Sequence, residues 1–207
     1  LLKYNVANTR GVTHNSWGVA RYLLLKGANQ PVRVLCAREL QKSIDESVHQ
    51  VLSDQILNLG LESKYVVQKS KIFGPNGTEF FFEGIKNNVT AIKSFEGVDV
   101  CWVEEANKVS KHSWGHLIPT IRKAGSEIII TFNPELETDY TYKRFVVQAD
   151  KASSFVVHMT YRDNEWFPEE LKLEMEIDRR DDEDKYLNIW EGQCLQQLEG
   201  AVFGIVA

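Results

Sequence analysis

The stretch VDVCWVEE, residues 98–105, runs through valine, cysteine and tryptophan into two adjacent glutamates. A short apolar run of this kind marks a strand buried on both faces. It does not end in paired carboxylates without reason, because burial penalises unpaired charge. Similar runs recur, and strands are predicted at Lys3–Ala7, Val32–Ala37, Val98–Glu104, Glu127–Phe132 and Ser154–Tyr161. Segments of helical period separate them. Leu40, Ile44, Val48, Val51, Leu52, Ile56 and Leu59 fall on one stripe, and Gly60 is placed to stop that helix. The alternation predicts an α/β fold, a mainly parallel sheet flanked by helices. One hairpin interrupts it, pairing Ser70–Phe73 with Thr78–Gly84 across the turn residues Gly74, Pro75, Asn76 and Gly77. After Pro168, Glu169–Trp190 reads as helical, with a solvated run from Asp178 to Lys185.

The 207 residues are enough for one main domain with a full core. A net charge of -5 argues against binding nucleic acid over a broad face and leaves room for a local basic strip. The three cysteines are far apart, and Cys36 and Cys101 lie in apolar runs, which predicts buried free thiols and a reducing compartment rather than a disulfide or metal framework. No apolar run approaches the roughly 20 residues of a membrane span, and no basic-then-apolar leader is visible, so a soluble intracellular protein is expected.

In a nucleotide hydrolase of the P-loop kind, the first acid at a strand end holds Mg²⁺ and the next deprotonates the attacking water. That pattern assigns Glu104 to the metal and Glu105 to the base. Equally, both could start a helix near Ala106, where carboxylates favour the positive dipole end. The run IIITFNP, residues 128–134, ends a second strand in Thr131 and Asn133, small polar groups able to hydrogen-bond a γ-phosphate or its water. On a neighbouring strand they would stand beside Glu105; otherwise they form an ordinary turn, with Asn133 as a cap and Pro134 ending the strand. Arg38, closing Val32–Ala37, is a natural cation for phosphates, or else a helix-entry arginine paired with Glu39.

At these residues the chain resembles the ATPase domain of the large terminase subunit of tailed bacteriophages. The matching segments are VLCARELQKSI (34–44), PNGTEFFFEGI (75–85), NNVTAIKSFEG (87–97), VDVCWVEEA (98–106), LIPTIRK (117–123), TFNPELETDYTYKRFVV (131–147) and DNEWFP (163–168). The resemblance implies a P-loop NTPase fold of the additional-strand, catalytic-glutamate type, using ATP and Mg²⁺. It makes Glu104 the Walker B acid, Glu105 the catalytic glutamate, Thr131 to Asn133 the motif coupling hydrolysis to movement, and Arg38 an arginine near the phosphates, unless a neighbouring subunit supplies one. The implied partners are double-stranded viral DNA gripped without regard to sequence, the portal protein, the small terminase subunit and further copies in a ring. No membrane is implied, and the implied location is the cytoplasm of the bacterial host.

The same resemblance puts the phosphate loop at residues 9–16, between strand and helix. Against G-x-x-x-x-G-K-[ST], Thr9 stands for the first glycine, His14 for the second and Asn15 for the lysine, and only Ser16 keeps the expected residue, as a Mg²⁺ ligand. Arg10, Gly11, Val12 and Thr13 complete the loop. A shifted register would match Arg10-Gly11 to a family Arg-Gly pair, but it requires an inserted residue, and the ungapped register is preferred. Glycines let successive N–H groups curl round phosphates and lysine neutralises them, so these changes set a second reading beside the motor: a non-hydrolysing terminase-like binding or assembly module.

His112 and His116 stand four apart on a predicted helix, but Ser113 takes the place of the glutamate that a zinc hydrolase motif needs, so a surface pair is expected. Asp181, Asp182, Glu183 and Asp184 cannot all converge on one ion from a single helix and read as a solvated face. The ATPase-like domain is expected over residues 1–190, with 191–207 a linker toward a nuclease domain not contained in the sequence, so no DNA cleavage is expected of this chain.

Overall fold

The computed structural model describes residues 3–9, 15–40, 47–86, 97–165 and 167–195. In chain order these form β1 (Tyr4–Thr9), α1 (Asn15–Asn29), β2 (Arg33–Arg38), α2 (Val48–Asn58), β3 (Val66–Val67), β4 (Lys71–Phe73), β5 (Glu79–Gly84), β6 (Val100–Glu104), α3 (Lys111–Thr120) and β7 (Glu127–Phe132). A short helix, α4 (Tyr140–Tyr142), runs on into a π turn, Lys143–Val147, and is followed by β8 (Ser154–Met159), α5 (Glu169–Asp181) and α6 (Glu183–Ile189).

One eight-stranded sheet carries the fold, in the order β3-β4-β5-β2-β6-β7-β1-β8. From β5 to β8 every neighbour pair is parallel, while β3 and β4 add an antiparallel edge. Alternate residues of β6 face opposite ways: Cys101 and Val103 pack with Trp114, Leu117 and Phe145, whereas Val100 and Trp102 pack with Leu23, Leu24, Leu52 and Ile56. Burial on both faces is why the strand reads as an unbroken apolar run. Cys36 belongs to the second cluster and Cys101 to the first, so the sheet separates them and both are buried free thiols.

The predicted strands are all present within a few residues of their expected ends, and the hairpin is β4 with β5. Two helices differ from expectation. Leu40, at the start of the stripe, is not helical: Ile85 and Lys86 donate their N–H groups to the carbonyls of Arg38 and Glu39, so the β2–β5 ladder runs past the strand end and holds the chain extended there, and the described helix spans Val48–Asn58. Ile44, on the same stripe, lies outside the described residues. Gly60 does end α2, at φ +63°.

The helix expected over Glu169–Trp190 breaks at Asp182, where φ is -151° and ψ 87° and the side chain accepts from the Lys185 N–H to cap α6. Asp178, expected on the solvated run, is buried and accepts from the Trp190 indole and the Lys185 ammonium. Residues 191–195, expected to begin a linker, are tied to the domain: Glu191 pairs with Arg162, and the Leu195 N–H donates to the Glu135 carbonyl. No helix of the described residues is long and apolar enough to cross a membrane.

Candidate active site

Parallel strands deliver their carboxyl ends to one edge of a sheet, and ligands of such sheets bind there. Here β1, β2, β6 and β7 bring Thr9, Arg38, Glu104 and Phe132 to that edge, and the amino end of α1 meets it. Thr9 closes β1, its backbone in register with Met159, while Arg10, Gly11, Val12, Thr13 and His14 lie outside the described residues.

Glu104 and Glu105 leave β6 in different directions because Glu105 adopts φ 50°, ψ 43°, a left-handed conformation. Among the described residues only Asn76, in the hairpin turn, shares a positive φ without being glycine. For a glutamate this geometry costs about 1–2 kcal/mol and persists only where the surroundings fix it. Glu105 precedes a 3₁₀ turn, Ala106–Lys108, but its side chain makes no capping hydrogen bond, which sets aside the helix-start reading for this residue. Its carboxylate goes to Arg38 instead. The Arg38 guanidinium, only 6 % exposed, donates through Nε to Glu104 Oε2 at 2.5 Å and through Nη2 to Glu105 Oε1 at 2.6 Å. The arginine thus serves the two acids at the strand end.

Ser16, in the first turn of α1, sets its Oγ 3.3 Å from Glu104 Oε1 and 3.2 Å from Asn15 Oδ1. Asn15 Oδ1 also accepts the Ser16 backbone N–H at 2.7 Å. Mg²⁺ holds adjacent oxygens about 3 Å apart and is commonly bound by one or two protein oxygens plus substrate phosphate. The Ser16–Glu104 pair fits that ion. Among the described residues no group of three His, Cys, Asp or Glu converges, so a divalent ion would need oxygens from a ligand as well.

Thr131 and Asn133 part company. In register with Glu104 on the neighbouring strand, Thr131 is 1 % exposed and its hydroxyl accepts the Trp102 indole N–H at 2.9 Å, so it stands beneath the site as a buried strut. Asn133 is exposed and lines a cavity of about 220 Å³ with Glu105, Asn107, Lys108 and Glu135, which makes it the member of the pair open to a ligand. A larger cleft, about 650 Å³, opens beside the amino end of α1 between Trp17, Val19, Val157 and Met159, with Asn15, Asp163 and Asn164 among its polar lining. Sequence reasoning missed this cleft; the one available signal was Gly18, whose missing side chain leaves open space. His112 and His116 meet edge to face on α3, with ring centroids 4.5 Å apart.

Burial pushes the Glu104 carboxyl above the usual range, while Arg38 pulls it back down. Removing the cation in Arg38→Ala strands a largely buried carboxylate, a class of change that costs about 3 kcal/mol. A carboxyl raised in the folded state loses stability as pH rises through its folded value and regains it once protonated. The Arg38→Ala deficit, measured by urea unfolding, is therefore expected to be larger at pH 8 than at pH 5. A pH-independent deficit would mean that Arg38 acts through packing alone.

A family model described as phage terminase large subunit matches residues 3–193. The chain belongs to the phage terminase large subunit family. The PBSX phage terminase large subunit of Bacillus subtilis (strain 168) is 24% identical over 193 residues, covering 83% of this chain and 44% of that protein. Among solved structures, the large terminase of a thermophilic bacteriophage in complex with ADP superposes with a TM-score of 0.74 at 11% identity, over 93% of this chain and 48% of that one. The large terminase ATPase domain of Thermus phage P74-26 superposes with a TM-score of 0.69 at 12% identity, over 93% of this chain and 88% of that domain. This chain spans about half the length of the curated terminases it matches. The terminase chain shares the α/β P-loop fold of these ATPase domains, a mainly parallel sheet flanked by helices in which β7 lies between β1 and β6.

Proposed function

We propose that this domain is the ATPase motor of a terminase large subunit, coupling hydrolysis of Mg²⁺-ATP to movement of double-stranded viral DNA into a prohead. The observation that carries the reading is the convergence of Ser16, Arg38, Glu104 and Glu105 at the carboxyl edge of the sheet. In this reading residues 9–16 wrap the phosphates and the apolar cleft between Trp17 and Met159 receives the base. Ser16 and Glu104 would hold Mg²⁺, which when bound would shield the phosphate charge. Glu105 accepts a proton from water as the water oxygen bonds to the γ-phosphorus and the bridging P–O bond to the β-phosphate breaks. Arg38 is within reach to exchange its carboxylates for phosphate oxygens, and Asn133 to orient the water. Thr131 supports them from below.

In this reading the ATPase domain takes in residues 1–190 together with 191–195, which bond back to it through Glu191 and Leu195. The partners in this reading are DNA held through its phosphates, the portal protein, the small terminase subunit and neighbouring copies in a ring, in the cytoplasm of the bacterial host. One observation favours a second reading, a binding or assembly module without hydrolysis: Thr9, His14 and Asn15 replace both glycines and the lysine of the phosphate loop. A titration with fluorescent ATP analogue, with and without Mg²⁺, separates them from the outset. Mg²⁺-dependent binding with phosphate release supports the motor, binding without release supports the module, and no binding in either condition removes nucleotide from the account.

A further inference from the structure

We propose that Thr141, oriented by Trp114, is a positioning residue that holds Glu105 in its left-handed turn by binding the carbonyl of Ala106. The proposal rests on the reading of Glu105 as the base and adds what keeps that base in place. Trp114 on α3 donates its indole N–H to Thr141 Oγ1 at 2.9 Å, and Thr141 on α4 donates its hydroxyl to the Ala106 carbonyl at 2.6 Å. An indole nitrogen only donates, so the threonine oxygen must accept from it and its single proton is free to go to Ala106. The polarity of the chain is thereby fixed.

Trp114, Thr141 and Ala106 are each 0 % exposed, so water cannot stand in for any lost bond. The Ala106 carbonyl also accepts the Val109 N–H at 3.1 Å, and the Lys108 N–H closes the turn on the Glu105 carbonyl at 3.1 Å. Fixing the peptide group after Ala106 while its methyl is packed in the core limits rotation on the carboxyl side of Glu105, where a strained conformation needs to be over-determined. The holding element is itself anchored. Thr141 lies just before the π turn Lys143–Val147, whose Phe145 packs against Trp114 at a tilt, with ring centroids 4.7 Å apart. π turns often mark functional segments, and this one lies on the stretch that follows Asn133.

Thr141→Val keeps the volume and removes the hydroxyl, while Thr141→Ser keeps the hydroxyl. For Thr141→Val the expected result is a kcat for ATP lowered roughly 10- to 100-fold with the Mg²⁺-ATP dissociation constant unchanged, as for a base displaced by a fraction of an ångström. Thr141→Ser should restore most of the rate. Independently of turnover, amide hydrogen exchange at Lys108 and Val109 should quicken about tenfold in Thr141→Val and not in Thr141→Ser. If Thr141→Val does not fold, Thr141→Ala against Thr141→Ser makes the same comparison, since both lose the methyl and only one the hydroxyl. A folded variant without the hydroxyl that keeps parental kcat, or that leaves exchange at Lys108 and Val109 unchanged, overturns the proposal. Should the parent itself fail to turn over ATP, the motor reading falls and the exchange measurement alone decides whether Thr141 holds the turn.

Discussion

Glu105→Gln is expected to lower ATP hydrolysis by about 10²- to 10⁴-fold, the range attributed to a positioned general base, while leaving ATP binding close to the parent. The amide keeps the length of the side chain and an oxygen to accept from Arg38, and loses only the capacity to take a proton. Stability should change little. The Glu105 side chain is 53% exposed, and ion pairs of that exposure contribute at most about 1 kcal/mol. Glu104→Ala should behave in the opposite way, weakening Mg²⁺-dependent binding while leaving Mg²⁺-independent binding in place, because Glu104 faces Ser16 and Glu105 does not. The two variants therefore separate metal holding from base chemistry in one set of titrations and phosphate-release assays. A Glu105→Gln protein that hydrolyses ATP at the parental rate would remove Glu105 from the base position.

What the sequence disclosed follows from what it must spend residues on. Strands β6 and β7 were legible because burial on both faces demands an unbroken apolar run, and the two acids at residues 104 and 105 stood out because such a run excludes charge. Arg38 was legible as a cation at a strand end, but the acids it binds were not, since they lie 66 positions or more away in sequence and meet it only through the β2–β6 pairing. The left-handed turn at Glu105 left no trace, because the usual signature is glycine or asparagine and here the strain is absorbed by tertiary contacts. In the sequence Thr131 reads as a small polar group at a strand end, able to hydrogen-bond a γ-phosphate or its water. Its burial became visible only once Trp102, two residues before Glu104, was seen to donate to it. The break at Asp182 was hidden by a continuous helical composition: a side-chain cap on Lys185 outweighed propensity.

Residues 9–16 carry the other large expected effect. Their flanks are fixed: β1 pairs with β7 and β8 on either side, and α1 is anchored by Ala20, Leu23 and Leu24 in the core. If the segment between them is a disabled phosphate loop, the missing parts are local and can be put back. Thr9→Gly and His14→Gly restore the backbone freedom needed to wrap phosphates, and Asn15→Lys restores the charge. The structure adds a second reason for the last change. Asn15 Oδ1 takes the Ser16 N–H, one of the donors at the start of α1 that a phosphate would use, so lysine both frees that donor and supplies a cation. The combined replacement is expected to raise ATP affinity and to raise hydrolysis by roughly 10²- to 10³-fold, the usual scale for a preorganised group that stabilises the transition state. Asn15→Lys alone should do less, because it adds a charge without restoring the glycines whose backbone freedom a phosphate loop needs at positions 9 and 14. Adding Glu105→Gln to the combined replacement should abolish the gain in hydrolysis and spare the gain in affinity, which ties the repaired loop to the same reaction. Steady-state phosphate release and nucleotide titration on the parent, the single change and the combined changes, with DNA present, measure all of this. A repaired loop that neither binds nor hydrolyses ATP would mean that residues 9–16 are not a phosphate loop in this register, and Ser16 would then lose its place as a metal ligand.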